Sequence, residues 1–79
     1  MTVELRIPKL GQAMTEGTLA EWLVADGSSV NEGDPLYRIE TDKVEVDIEA
    51  PVAGRLIIVA DAGATYQIGD EVGRIETSG

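Results

Sequence analysis

Cysteine and histidine are both absent from the 79 residues. Without cysteine there is no disulfide framework, no thiolate metal site and no sulfur nucleophile. Without histidine the commonest general base, the serine triad and imidazole metal sites go as well. Long apolar runs are missing too. The longest is Leu56 to Ala60, far short of the roughly 20 residues that span a bilayer. The opening Met1-Thr2-Val3-Glu4-Leu5-Arg6 lacks a basic region leading into an apolar stretch, so no secretory signal is read there. Positive charge is scarce: six Lys and Arg stand against 15 Asp and Glu, a net charge of −9. Phosphate backbones repel such a chain. These absences argue against nucleic-acid binding, membrane association, a metal centre and catalysis in the chain itself. The expected compartment is the cytoplasm.

What is present suits one small folded domain over residues 1–79, with 77–79 as a possible linker start. A chain of this size buries only roughly 60% of the surface its unfolded form exposes. A composition of 43% hydrophobic and 27% charged residues is nevertheless that of a folded protein. Strand-like runs alternate with glycine, proline and acidic turn signals, the pattern of an all-β sandwich or barrel. The expected strands are Val3–Ile7, Thr18–Ala25, Pro35–Thr41, Val44–Ala50, Arg55–Ala60 and Glu71–Glu76. In Val44–Ala50 the residues Val44, Val46, Ile48 and Ala50 share one face, and Glu45, Asp47 and Glu49 share the other. The acidic row reads as a wetted strand face, because no segment has the spacing of a calcium loop.

An internal repeat organises the chain. Gly27–Thr41 aligns with Gly63–Thr77 at an offset of 36, with seven of 15 pairs identical, including Arg-Ile-Glu-Thr in full. Gly17-Thr18-Leu19 matches Gly54-Arg55-Leu56 at an offset of 37. Two copies are too few for a solenoid. Half-domains related by a pseudo-twofold axis, each contributing a sheet, fit better. That symmetry predicts equivalent corners at opposite poles for Lys43 and the chain end.

Asp42-Lys43 lies between two strand-like runs and reads as a hairpin tip, in a type I turn rather than a tight primed one. Lys43 is one of two lysines, and Glu40, Asp42, Glu45 and Asp47 surround it in sequence. Read from physics alone, it balances nearby carboxylates and guards against edge pairing. An ammonium among carboxylates is poorly suited to Schiff-base or general-base work. A functional role there would be that of an attachment point.

Glu40-Thr41-Asp42-Lys43-Val44 on a hairpin, followed by an alternating strand and Ala50-Pro51-Val52-Ala53-Gly54, resembles the lipoyl domain of 2-oxo acid dehydrogenase acyltransferase components. Pro8–Thr18, Trp22–Gly27 and Val30–Leu36 resemble the same family, so the likeness runs from about Val3 to Glu76. The resemblance implies a flattened barrel-sandwich of two four-stranded antiparallel sheets with a pseudo-twofold axis. It also implies a non-catalytic carrier with lipoic acid amide-linked to Lys43, acting as a swinging arm. The implied partners are a lipoylating enzyme, a thiamine-dependent 2-oxo acid decarboxylase, an acyltransferase catalytic domain and a flavin dihydrolipoyl dehydrogenase. The isolated domain is expected to be monomeric. Implied recognition positions are Glu40, Thr41, Asp42, Val44 and Glu45 around the lysine, Gly54 eleven residues after it, and Gly11 and Met14 in the loop expected beside it.

A biotinyl carrier domain shares this fold but flanks its lysine with methionines, where this chain has Asp42 and Val44. An unmodified barrel-sandwich hybrid interaction domain is a further alternative. Trp22 is expected to pack in the core.

Overall fold

Alternating apolar and polar residues become extended strands in the computed structural model, which describes residues 1–11 and 14–77. Eight strands form: β1 (Thr2–Arg6), β2 (Glu16–Trp22), β3 (Ser29–Val30), β4 (Pro35–Glu40), β5 (Glu45–Glu49), β6 (Gly54–Ile58), β7 (Ala64–Gln67) and β8 (Glu71–Glu76). They make two four-stranded antiparallel sheets, ordered β1-β8-β6-β3 and β5-β4-β2-β7. Six strands match the sequence expectation, five with shifted ends and β8 with the same ends. β2 stops at Trp22 rather than Ala25, and β5 starts at Glu45 rather than Val44. The short strands β3 and β7 are additions. Each lies between two glycines and is too brief to show alternation.

The repeat is visible in the pairing, but the expectation of one sheet per half is corrected: each sheet takes two strands from β1–β4 and two from β5–β8, so the halves interleave. Exchanging β1 with β5, β2 with β6, β3 with β7 and β4 with β8 turns one sheet order into the other. Register obeys the same exchange: Leu19 opposes Ile39 in one sheet, and Leu56 opposes Ile75 in the other. The change of offset from 37 to 36 also has a structural cause. A register shift between Leu19 and Glu21 gives β2 one extra residue, Ala20, which β6 lacks. That residue is a β-bulge.

The repeated Gly-Asp pairs build the same turn twice. Gly33 and Gly69 adopt φ of 91° and 90°, and Gly27 and Gly63 adopt 85° and 91°, backbone that a side chain rarely tolerates. Asp34 accepts the Asn31 N–H at 2.8 Å, and Asp70 accepts the Gln67 N–H at 3.0 Å.

The core lies between the sheets and is largely symmetric. Leu19 and Leu56, Leu36 and Val72, Ile39 and Ile75, and Ile7 and Ala50 are buried as equivalent pairs. The symmetry fails at one place, where Tyr37 faces Gly73 as its equivalent. Trp22 accounts for the difference. A Cβ on Gly73 would sit 2.9 Å from the indole, so glycine leaves the room that the ring occupies. The Trp22 and Tyr37 ring centroids lie 5.0 Å apart, tilted at 48°. Both polar tips are satisfied: Trp22 Nε1–H donates to the Ala60 carbonyl at 2.9 Å and the Tyr37 hydroxyl to the Arg6 carbonyl at 2.8 Å. Trp22 therefore packs as expected.

Strand direction separates the two ends of the domain. β4 runs toward Thr41, whereas β8 runs toward Thr77, which pairs with Met1. β1 starts beside Thr77 and delivers Leu10 to a cleft against the β4–β5 hairpin.

Candidate functional site

Lys43 occupies the tip of the β4–β5 hairpin, exposed to solvent. The turn is held by Thr41. Its N–H donates to the Val44 carbonyl at 2.8 Å. Its hydroxyl oxygen accepts the N–H groups of Lys43 and Val44 at 3.3 and 3.1 Å, and its hydroxyl lies 3.3 Å from the Val44 carbonyl. A threonine side chain thus closes the loop that a backbone carbonyl would otherwise close. Asp42 and Lys43 keep negative φ, since no described non-glycine residue has a positive one. A primed turn is thereby excluded. The equivalent Thr77 makes the same backbone and hydroxyl bonds to the Met1 carbonyl, at 2.9 and 3.0 Å.

Two of the carboxylates near Lys43 in sequence, Glu45 and Asp47, are engaged elsewhere. Arg38 projects from the outer face of β4 and draws in Asp47 at 2.9 Å, Glu21 at 3.4 Å and Glu45 at 3.5 Å. The Asp47 hydrogen bond and charge, with help from Glu45 and Glu21, raise the guanidinium's pKa above its ordinary value. Among the described residues no ion pair reaches Lys43. For Glu45 and Asp47 the balancing cation is therefore Arg38 and not Lys43, because alternation puts it on the same face as the acidic row. Among the described residues no group of acidic side chains is arranged to hold a metal ion.

A cleft of about 840 Å³ opens beside the hairpin. It brings together Glu40, Thr41, Asp42, Lys43 and Val44 with Gly11 and Met14 of the β1–β2 connection. Seven of the expected site residues thus converge on one place. Met14 is half-buried, and its sulfur accepts the Leu10 N–H at 3.3 Å, which makes it a loop anchor. Val44 is 47% exposed, outside the core against which Ile48 packs. Glu45 faces Arg38 instead of the cleft.

Besides Glu45, Gly54 is the expected residue that the fold does not bring to this cleft. It opens β6 and lines a smaller cleft with Ser29, Val30, Arg55 and Glu76. A Cβ there would collide with the Glu76 carbonyl oxygen, so close backbone packing gives this glycine a structural reason. Leu10 and Glu16 also line the larger cleft, as expected for a loop from Lys9 to Glu16 beside the hairpin, whereas the sequence reading missed Gly17, Thr18 and Thr65. Thr18 and Thr65 meet across β2 and β7 with their hydroxyl oxygens 3.0 Å apart. β7 could not be read in the sequence, so their meeting could not be either.

A family model described as biotin-requiring enzyme matches residues 3–75. The lipoamide acyltransferase component of the branched-chain alpha-keto acid dehydrogenase complex of Bacillus subtilis is 39% identical over 77 residues, covering 96% of this chain and 18% of that protein. The dihydrolipoyllysine-residue acetyltransferase component of the pyruvate dehydrogenase complex of Mycobacterium bovis is 47% identical over 70 residues, covering 87% and 13%. The chain thus spans less than a fifth of the length of these curated relatives. The solution structure of the lipoyl domain of the 2-oxoglutarate dehydrogenase complex from Azotobacter vinelandii superposes with a TM-score of 0.81 at 28% identity, covering 98% of this chain and 99% of that one. A single-chain, multi-domain long-chain acyl-CoA carboxylase shares the fold, with a TM-score of 0.77 at 23% identity over 99% of this chain and 7% of that one.

Proposed function

The chain belongs to the biotin- and lipoyl-attachment family, and from that membership we propose that it is a lipoyl carrier whose attachment point is Nζ of Lys43. The observation that carries the reading is Lys43 itself, the exposed tip residue of a turn that Thr41 holds. The residues fit an amide-linked arm: the amine has no ion partner among the described residues to surrender, and the hairpin tip gives a modifying enzyme access. Lipoate is favoured over biotin by the Asp42 and Val44 flanks and by the lipoamide and dihydrolipoyllysine names of the relatives.

When bound, the group supplies a dithiolane that takes up an acyl group together with two electrons and later gives up both. The protein's part is mechanical. Thr41 fixes the turn, and β4 and β5 carry it on a paired sheet. Amide formation at Nζ removes one positive charge, taking the formal net charge from −9 to −10. Tethering raises the effective concentration of the arm at each partner's active site.

The domain is non-catalytic and works within an acyltransferase component, as a monomeric module in the cytoplasm spanning residues 1–79. Its partners are a lipoylating enzyme, a thiamine-dependent 2-oxo acid decarboxylase, an acyltransferase catalytic domain and a flavin dihydrolipoyl dehydrogenase. Glu40, Asp42 and Val44, with Gly11 and Met14 across the cleft, form the surface those enzymes read.

The test is acylation of the lipoylated chain. It is incubated with thiamine-dependent decarboxylases and pyruvate, 2-oxoglutarate, a branched-chain 2-oxo acid or acetoin, and intact mass is followed. One system should acylate the chain at least about tenfold faster than the others, with no adduct on K43R. Failure of every system to acylate a fully lipoylated chain would overturn the carrier reading.

A further inference from the structure

The cleft beside Lys43 is larger than the fold requires. Its pseudo-twofold image is the smaller cleft at the other end, of about 330 Å³. Gly17, Thr18, Glu40 and Thr65 of the first correspond to Gly54, Arg55, Glu76 and Ser29 of the second. The difference lies in the connection. Residues 7–15 join β1 to β2, whereas only residues 50–53 make the equivalent join between β5 and β6. The longer connection contributes Leu10 and Met14, apolar side chains that exist only at the end where the lysine is. The opposite rim carries Val44, one of few large hydrophobic residues left exposed.

Resting on the carrier reading above, we propose that this cleft is a resting site for the arm on Lys43. Leu10, Met14 and Val44 contact its methylene chain and dithiolane ring between enzyme visits. The chemistry is complementary. The arm is uncharged once amide-linked, and its apolar length gains by leaving water. A methionine thioether is a soft, polarizable surface for a disulfide ring. Lys43 itself lines the cleft, so the arm arrives by tether and needs no affinity of its own to find it. Freezing the rotors of the arm opposes the apolar gain, so docking is a rapid equilibrium that partner enzymes can displace.

The experiment compares amide and methyl NMR spectra of the full chain before and after lipoylation, with the adduct verified by mass. Docking predicts shift changes at Gly17, Thr18 and Thr65, which are remote from Lys43 in sequence, and cross-peaks between arm methylenes and the Met14 and Leu10 methyls. V44T, a same-sized change at an exposed position, should lower the remote shifts by roughly half. Changes confined to Thr41–Glu45 in a fully lipoylated sample would overturn the resting site and leave the carrier reading intact. Remote shifts and arm contacts that V44T leaves unchanged would overturn the assignment of Val44 as an arm contact. A chain that a lipoylating enzyme leaves unmodified at Lys43 would overturn both the resting site and the carrier reading.

Discussion

At the scale of single residues, the hairpin depends on a side chain doing backbone work. T41V keeps shape and volume but removes an oxygen that accepts two N–H groups. It should cost about 1 kcal/mol in urea unfolding and slow lipoylation of Lys43 by loosening the turn. A second residue-scale outcome concerns Tyr37, whose hydroxyl burial pushes from 10.0 up to about 12. The unfolded chain releases that proton near pH 10, whereas the folded one holds it until about pH 12. Stability present below pH 10 is therefore lost as pH rises from 10 to 12, by roughly 2–3 kcal/mol. Y37F should abolish that slope in denaturant titrations across this range. The place of Lys43 at a hairpin tip was readable in the sequence because a charged dipeptide between two strand-like runs is a local signal. The partner of its acidic neighbours was not, because Arg38 meets Glu21 only after β2 and β4 pair.

At the scale of elements, two equivalent glycines should respond differently to the same methyl group. In G54A the new Cβ meets backbone, the Glu76 carbonyl, and β6 and β8 must separate. In G17A it meets chiefly the Met14 Cε at 2.9 Å, the free end of a flexible side chain. G54A should cost about 3 kcal/mol or more and G17A about 1 kcal/mol, ranked by thermal unfolding. If the two cost the same, the packing account of Gly54 fails. Strands with clean alternation, such as β5, were legible with correct faces. β3 and β7 were not, because two or four residues between glycines carry no period, and their identity comes from pairing with β6 and β2.

At the scale of the whole molecule, the duplicated sequence and the duplicated sheet are the same fact. The repeat could be read at 15 aligned positions. Its first strand pair, β1 with β5, could not, because Glu4 and Asp47 correspond only through their shared opposition to Arg74 and Arg38. The symmetry carries a consequence for chain closure. Thr77 bonds Met1 as Thr41 bonds Val44, and Ser78-Gly79 matches Asp42-Lys43 in residue count. Joining Gly79 to Met1 should therefore preserve the fold and raise the melting temperature by several degrees, since closing a loop of this length removes roughly 4 kcal/mol of unfolded-chain entropy. Calorimetry on a cyclised and a linear chain checks it; an unchanged or lowered melting temperature would contradict the equivalence.

The most direct test of the attachment point is a mass measurement. The chain and its K43R variant are each expressed with a lipoylating enzyme and a biotinylating enzyme, with both cofactors supplied, and analysed by intact mass and peptide mapping. A single lipoyl adduct is expected on Lys43, none on Lys9 and none in K43R. A biotin adduct, or no adduct on Lys43, would contradict the account.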